Sequence, residues 1–341
     1  MGLNEKFFKS AAGGFVPTDH FNTVLYDGNG TTKSITGVGF QPDLIWVKNR
    51  LTSGENHLLS DVASGFGKAL FSNLTNAQVG SDNTYFSQLP NGFSINTSNG
   101  NISGTNNYVA WNWKAGGAAV PNTNGTITSQ VSANVDAGFS IVKYTGNGTN
   151  GATVGHGLSQ APELILTKGL STTYNWSVVT SLLQNGYLEL NTTSGFNSIS
   201  SRYITAGTTT NSLTNYVQFN QNNINHIAYC FHSVAGYSKI GSFVGNGSTV
   251  NVVTGFKPAF IMWKNTTQGS ASYDYWFIVD NKTSPSNPVK KVLYPNSNDA
   301  EATTSYTIAN FNSNGFDIVG SAGGRVFNNS GDTYIYMAIS E

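Results

Sequence analysis

The side chains that could do chemistry here recur in threes. Lys48, Lys168 and Lys264 each stand six residues after a proline (Pro42, Pro162, Pro258), in "PDLIWVK", "PELILTK" and "PAFIMWK". A lysine repeated at a strand end is either a ligand contact or an edge residue whose stem lies on apolar surface while its ammonium reaches water, and the edge residue is expected. Asp43 and Glu163 follow two of the prolines, and Ala259 follows the third. Asp61 and Asp280 align with Thr180. Paired carboxylates could cleave a glycosidic bond, but a carboxylate missing from one place in three reads as structural. His20, His57, His156, His226 and His232 are the only histidines. His226 and His232 share a strand face but lie ~20 Å apart along it, too far to share a metal ion. His156 reads as a loop or strand-edge residue. There is no Gly-X-Ser-X-Gly elbow and no His-Glu-X-X-His pair. Trp46, Trp111, Trp113, Trp176, Trp263 and Trp276 could stack on sugars, yet all lie inside strand-like runs, where core packing is expected. The reading is non-enzymatic, with no catalytic residue, no cofactor and no metal.

The elements that must hold these residues are strands. The 341-residue chain has 17 basic and 17 acidic side chains and 38 glycines. Such low, balanced charge gives no electrostatic hold on nucleic acid or an anionic membrane. Twelve per cent aromatic residues at zero net charge exclude the composition of a disordered chain. Polar residues are mainly Asn, Thr, Ser and Gly, which favour turns and strand faces. Cys230 is the only cysteine, so no internal disulfide forms, as suits folding in a reducing cytoplasm. No apolar run has the length of a signal peptide core or a membrane span.

Three near-copies of one turn, "YDGNGT", "YTGNGT" and "FVGNGS", begin at Tyr26, Tyr144 and Phe243. A phosphate-cradling loop would lead into a helix, but strand-type residues follow all three, so the turn reads as a hairpin with φ > 0. Each turn is followed by a proline–lysine strand, then by "NHLLSDV", "NWSVVTS" or "YWFIVDN", and then by "KALFSN", "GYLELN" or "KVLYPN". "NGFSI" (91–95) matches "NGFDI" (314–318), and "YVQFN" is all that the middle copy retains there. Each copy closes on an aromatic strand: "NYVAWNW", "NHIAYCF", "TYIYMAI". Several elements in one order at similar spacing mark an internal repeat. Short β-runs separated by Gly/Asn/Ser turns are the pattern of an antiparallel sandwich. The expected fold is all-β: three tandem antiparallel β-sandwich repeats, jelly-roll or concanavalin-like, over residues 21–116, 138–236 and 237–341. Residues 117–137 are expected to be a linker that adds a strand, and residues 1–20 an N-terminal docking arm.

The stretches "FNTVLYDGNGTTKSITGVGFQPDLIWVKNR", "YVAWNWKAGG", "GFSIVKYTGNGTNGATVGHGLSQAPELILTK" and "IAYCFHSVAGYSKIGSFVGNG" resemble a repeated domain of virion structural proteins from marine tailed bacteriophages. The resemblance runs over nearly the whole chain and implies a tail-associated particle component with no catalytic residues. It leads to the expectation of a tail fibre, tail-tip or appendage protein, made in the host cytoplasm and carried on the virion. A capsid decoration or cement protein, and a host-surface carbohydrate-binding module, are the alternatives. Expected partners are other virion proteins and further copies of the chain, a trimer being the guess, with a host-surface glycan as a further candidate. Nucleic acid and membrane insertion are not expected. In the arm, Phe7, Phe8 and Phe15 are the apolar residues expected to dock on a neighbouring chain.

Overall fold

The computed structural model describes residues 14–199, 201–267, 274–320 and 327–341. Among them the chain is all-β: antiparallel sheets, with helical backbone only in the turn Pro17–Asp19 and the single turn Val217–Asn220. Alternating apolar residues and turn-rich punctuation leave no run with a helical stripe.

Three large sheets share one strand order. In the first segment the opening strand Phe21–Asp27 lies beside the closing strand Asn107–Trp113, followed by Leu44–Asn49, Leu58–Asp61 and Leu70–Phe71. In the second the same order runs Phe139–Thr145, Asn225–Phe231, Leu164–Gly169, Ser177–Thr180 and Leu183–Glu189. The third has Ser238–Val244, Thr333–Ser340, Pro258–Asn265 and Trp276–Asp280. Register agrees as well as order: Trp46 pairs with Trp111, Leu166 with Tyr229, and Met262 with Met337. The first residue of each pair stands four after its proline. Three small sheets accompany the large ones, with central strands Gly92–Ile95, Thr210–Leu213 and Gly315–Val319.

The GNG turn is not the hairpin expected from sequence. The strand before it pairs within the large sheet, and the strand after it pairs within the small one. It is a corner at which the chain changes sheets. In each corner the asparagine Oδ1 accepts from the N–H two residues on: Asn29 from Thr31, Asn147 from Thr149 and Asn246 from Ser248. The two glycines have separate reasons. Gly30, Gly148 and Gly247 have φ of 77°, 70° and 70°, where a Cβ is strained. A Cβ on Gly28, Gly146 or Gly245 would collide with the carbonyl oxygen of Gly104, Gln221 or Asn329, because the corner lies against the loop entering the closing strand.

Two further expectations change. "YVQFN" is not the middle counterpart of "NGFSI". It forms the helical turn, and the pairing strand is Thr210–Leu213. The hydrogen bonds give the true match: Tyr26 Oη donates to Ile102 O, and Tyr144 Oη to Phe219 O. The stretch expected as a linker contains two strands, Val120–Asn122 and Ser129–Asn134, which extend the second large sheet beyond its opening strand.

The two faces of each large sheet bury different cores. One face joins a central cluster drawn from all three segments, including Trp46, Trp111, Leu166, Tyr229, Met262 and Met337. The other face packs on the accompanying small sheet, in three separate clusters. Period-two alternation sorts neighbours between them. Trp46 faces the centre, whereas Trp263, one place further along its strand, faces the small sheet and stacks on Phe277.

Candidate functional site

All six tryptophans are buried, at most 2% exposed, so none is a surface platform for a sugar. The three lysines differ from expectation. Lys48, Lys168 and Lys264 are fully buried rather than edge residues with wet ammonium groups. Each Nζ donates to backbone carbonyls: Lys48 to Asn49 and Glu55, Lys168 to Gly169 and Thr172, Lys264 to Thr193 and Asp274. Each lysine thereby closes the loop after its own strand. Desolvation lowers all three to about 8.

The carboxylates do not meet across a cleft. Asp43 Oδ2 accepts from Ala115 N (2.8 Å) and Gly117 N (3.1 Å), and Glu163 Oε2 accepts from Ser233 N (2.6 Å). Both pin the backbone leaving a closing strand. The third segment has Ala259 there and no such carboxylate; its bond from Ser340 N to Tyr237 O has counterparts in the other two segments, from Lys114 N to His20 O and from His232 N to Gly138 O. Asp61 Oδ1 accepts from Ala63 N and Ser64 N, while Asp280 Oδ1 accepts from Lys282 N and Thr283 N. The second oxygens reach into other segments, that of Asp61 while also accepting from Ser64 Oγ. Tyr229 Oη donates to Asp61 Oδ2 (2.9 Å), and Trp111 Nε1 to Asp280 Oδ2 (3.2 Å). Burial raises both carboxyls.

The histidines are also committed separately. His57 Nδ1 accepts from Trp46 Nε1 (3.0 Å), and burial holds the ring neutral. His226 stacks on Tyr144 and is lowered to about 4, mainly by desolvation. His156 Nδ1 accepts from Leu158 N, and His20 bonds to Asn134 Nδ2. Among the described residues no three His, Cys, Asp or Glu side chains gather as a metal site. Cys230 is buried, and its thiol is pushed up to about 12, so it is inert as a nucleophile.

Of the docking residues, Phe7 and Phe8 lie outside the described residues. Phe15 is 39% exposed, stacks on His20 at 4.3 Å and meets the edge of Tyr237 at 4.9 Å. An open groove beside it is lined by Val16, Lys114, Asp136 and Val234, among others.

One cleft lies in a region that sequence reasoning passed over. It has a volume of about 320 Å³ and opens between the large and small sheets of the second segment. Ile165 and Val179 form part of its apolar wall, and Gln184, Asn185, Tyr203 and Thr205 bring polar groups to it. A second hollow of about 330 Å³ shares Tyr203 and Thr205 and extends along Ser212 and Asn215. Among the described residues no charged one lines either hollow. The sequence held no signal for the cleft, whose wall residues Pro162, Ile165 and Val179 lie in runs that recur in all three segments.

Residues 16–341 match the family model described as "Domain of unknown function (DUF7483)", and the chain belongs to that family. Comparison with curated proteins finds no match.

Proposed function

We propose that this DUF7483 member is a non-enzymatic structural component of a tailed-phage particle, a tail fibre, tail-tip or other appendage protein. In this reading it is built from three tandem copies of one β-sandwich. Supporting the copies are the shared strand order and register, the three corners and the three buried lysines. Matching side chains also make matching bonds. His57 N, Trp176 N and Trp276 N donate to the Oδ1 atoms of Asn73, Asn191 and Asn296 at 3.0, 2.8 and 2.9 Å.

The observation that carries the proposal is ring closure. Trp111 of the first copy reaches Asp280 of the third, and Trp276 of the third donates to Glu189 O of the second. Trp176 and Tyr229 of the second donate to Phe71 O and Asp61 of the first. These contacts run head to tail and close after three steps, the geometry of a cyclic trimer contained in one chain. A threefold relation would set Met337 against Thr180. The third contact then loses donor and acceptor together, the combination that leaves no buried polar group unpaired. Side chains that might have done chemistry are spent on rigidity, which fits a passive assembly part.

The arm remains the proposed anchor to a neighbouring virion protein, with Phe7 and Phe8 as its apolar contacts. Antibody-gold labelling of purified particles tests the proposal. Gold along the tail is the expected outcome, and gold over the head would favour the capsid-decoration alternative. Particles that carry none of the protein would overturn both.

A further inference from the structure

We infer that the cleft of the second segment binds an uncharged, hydroxyl-rich chain, a neutral oligosaccharide. Its opening is particular to this segment. In the first, residues 66–67 bridge the edge between the two sheets, with Asn83 N donating to Phe66 O and Tyr85 N to Gly67 O, both at 2.9 Å. Gln88 Nε2 then covers the strand-initial proline by donating to Pro42 O. In the third, Val289 bridges the same edge, exchanging bonds with Ala309 O and Ile308 N, again at 2.9 Å. In the second segment the chain after Thr180 instead turns back into the strand Leu183–Glu189, pairing Thr180 with Leu183. Among the described residues no backbone bond joins residues 181–186 to 203–206. The sandwich edge stays open there, and Pro162 lines the gap.

The lining defines the ligand. The side chains of Gln184, Asn185, Tyr203 and Thr205 make no hydrogen bond to other described residues, so their donors and acceptors are available. Asn185 holds a left-handed backbone, φ 59°, inside the strand Leu183–Glu189, whose pairing shifts register between Val178 and Thr180. Tyr203 is half-buried and common to both hollows, so a ligand longer than one ring crosses it. Amide and hydroxyl groups above an apolar wall, beside an aromatic ring, match a sugar's alternating hydroxyl edge and C–H face. Among the described residues an anionic ligand would find no cation in the lining, and a cationic one no carboxylate. The inference stands independently of where the protein sits in a particle.

The test is saturation-transfer NMR and calorimetric titration of the full chain. The probes are neutral glucan, galactan and mannan oligosaccharides, with an oligosialic acid as the charged comparison. Binding to at least one neutral probe is expected. Tyr203→Ala should weaken it tenfold or more and Gln184→Ala about threefold, while Tyr174→Ala, on the surface elsewhere, should leave it unchanged. Unaltered melting of the variants separates lost contacts from lost folding. Should Tyr203→Ala unfold the chain, Gln184→Ala and Thr205→Val carry the test. No neutral binding, preference for the sialic acid probe, or binding indifferent to all three cleft substitutions would each overturn the inference.

Discussion

Three buried lysines should make this protein more stable in mild alkali. Lys48, Lys168 and Lys264 are each lowered by desolvation to about 8, against an ordinary value near 10.5. For a group with a depressed folded pKa, the stabilising contribution is complete above the ordinary pKa and lost as pH falls through the folded one. Between pH 7 and 9 each lysine therefore adds roughly RT ln 10, about 4 kcal/mol for the three together. Cys230 opposes this weakly, because its folded thiol is pushed up to about 12 while the unfolded thiol begins to ionise near pH 9. With an unfolding entropy of roughly 2.1 cal/mol/K per residue, the chain should melt about 5 °C higher at pH 9 than at pH 7. Asp43, Asp61 and Asp280, raised by burial, push the other way as pH climbs from the carboxylate range. The decisive reading is thus a difference. Scanning calorimetry at pH 7, 8 and 9 should give a steeper rise for the wild type than for Lys48→Met, Lys168→Met or Lys264→Met, each of which removes about a third of it. The range stops at pH 9 because buried tyrosines such as Tyr26 and Tyr229, raised above 10, cost stability beyond it. Equal slopes in wild type and variants would refute the claim that these ammonium groups are desolvated.

Trp46→Ala, in the central cluster, should cost about 3–5 kcal/mol in denaturant unfolding. A loss under ~1 kcal/mol would mean that the three sheets do not share that core. Tyr229→Phe strips one donor from the buried Asp61 carboxyl and should cost about 1–2 kcal/mol in the same assay. No change would remove this bond from the account of how the segments hold together. Gly146→Ala, whose Cβ meets the carbonyl of Gln221, should lower the melting temperature more than Gly151→Ala, which has φ 81° but open space around it. Equal effects would show that the close approach at Gly146 costs no more than the strained φ at Gly151.

By itself, the sequence determined the strand content, the order of elements and the positions that recur. Hydrophobic alternation, Gly/Asn corners and the proline-to-lysine interval are local properties, and local properties survive in a linear string. Burial of the tryptophans was legible for the same reason, since each sits within an apolar run. Only the tertiary structure decided what those positions do. The GNG turn looked like a hairpin because its backbone demands are a hairpin's; that its flanking strands pair in different sheets depends on partners 56 to 92 residues away. The lysines looked like edge residues because a strand end is usually wet, and here a following loop folds over each ammonium and supplies carbonyls. The central core was hidden because it joins residues such as Trp111 and Asp280, 169 positions apart, and no local pattern encodes which exposed-looking face finds another. The second-segment cleft was least visible of all. It exists because a bridging stretch does not cross one sheet edge, and a contact not made leaves no mark on composition or period.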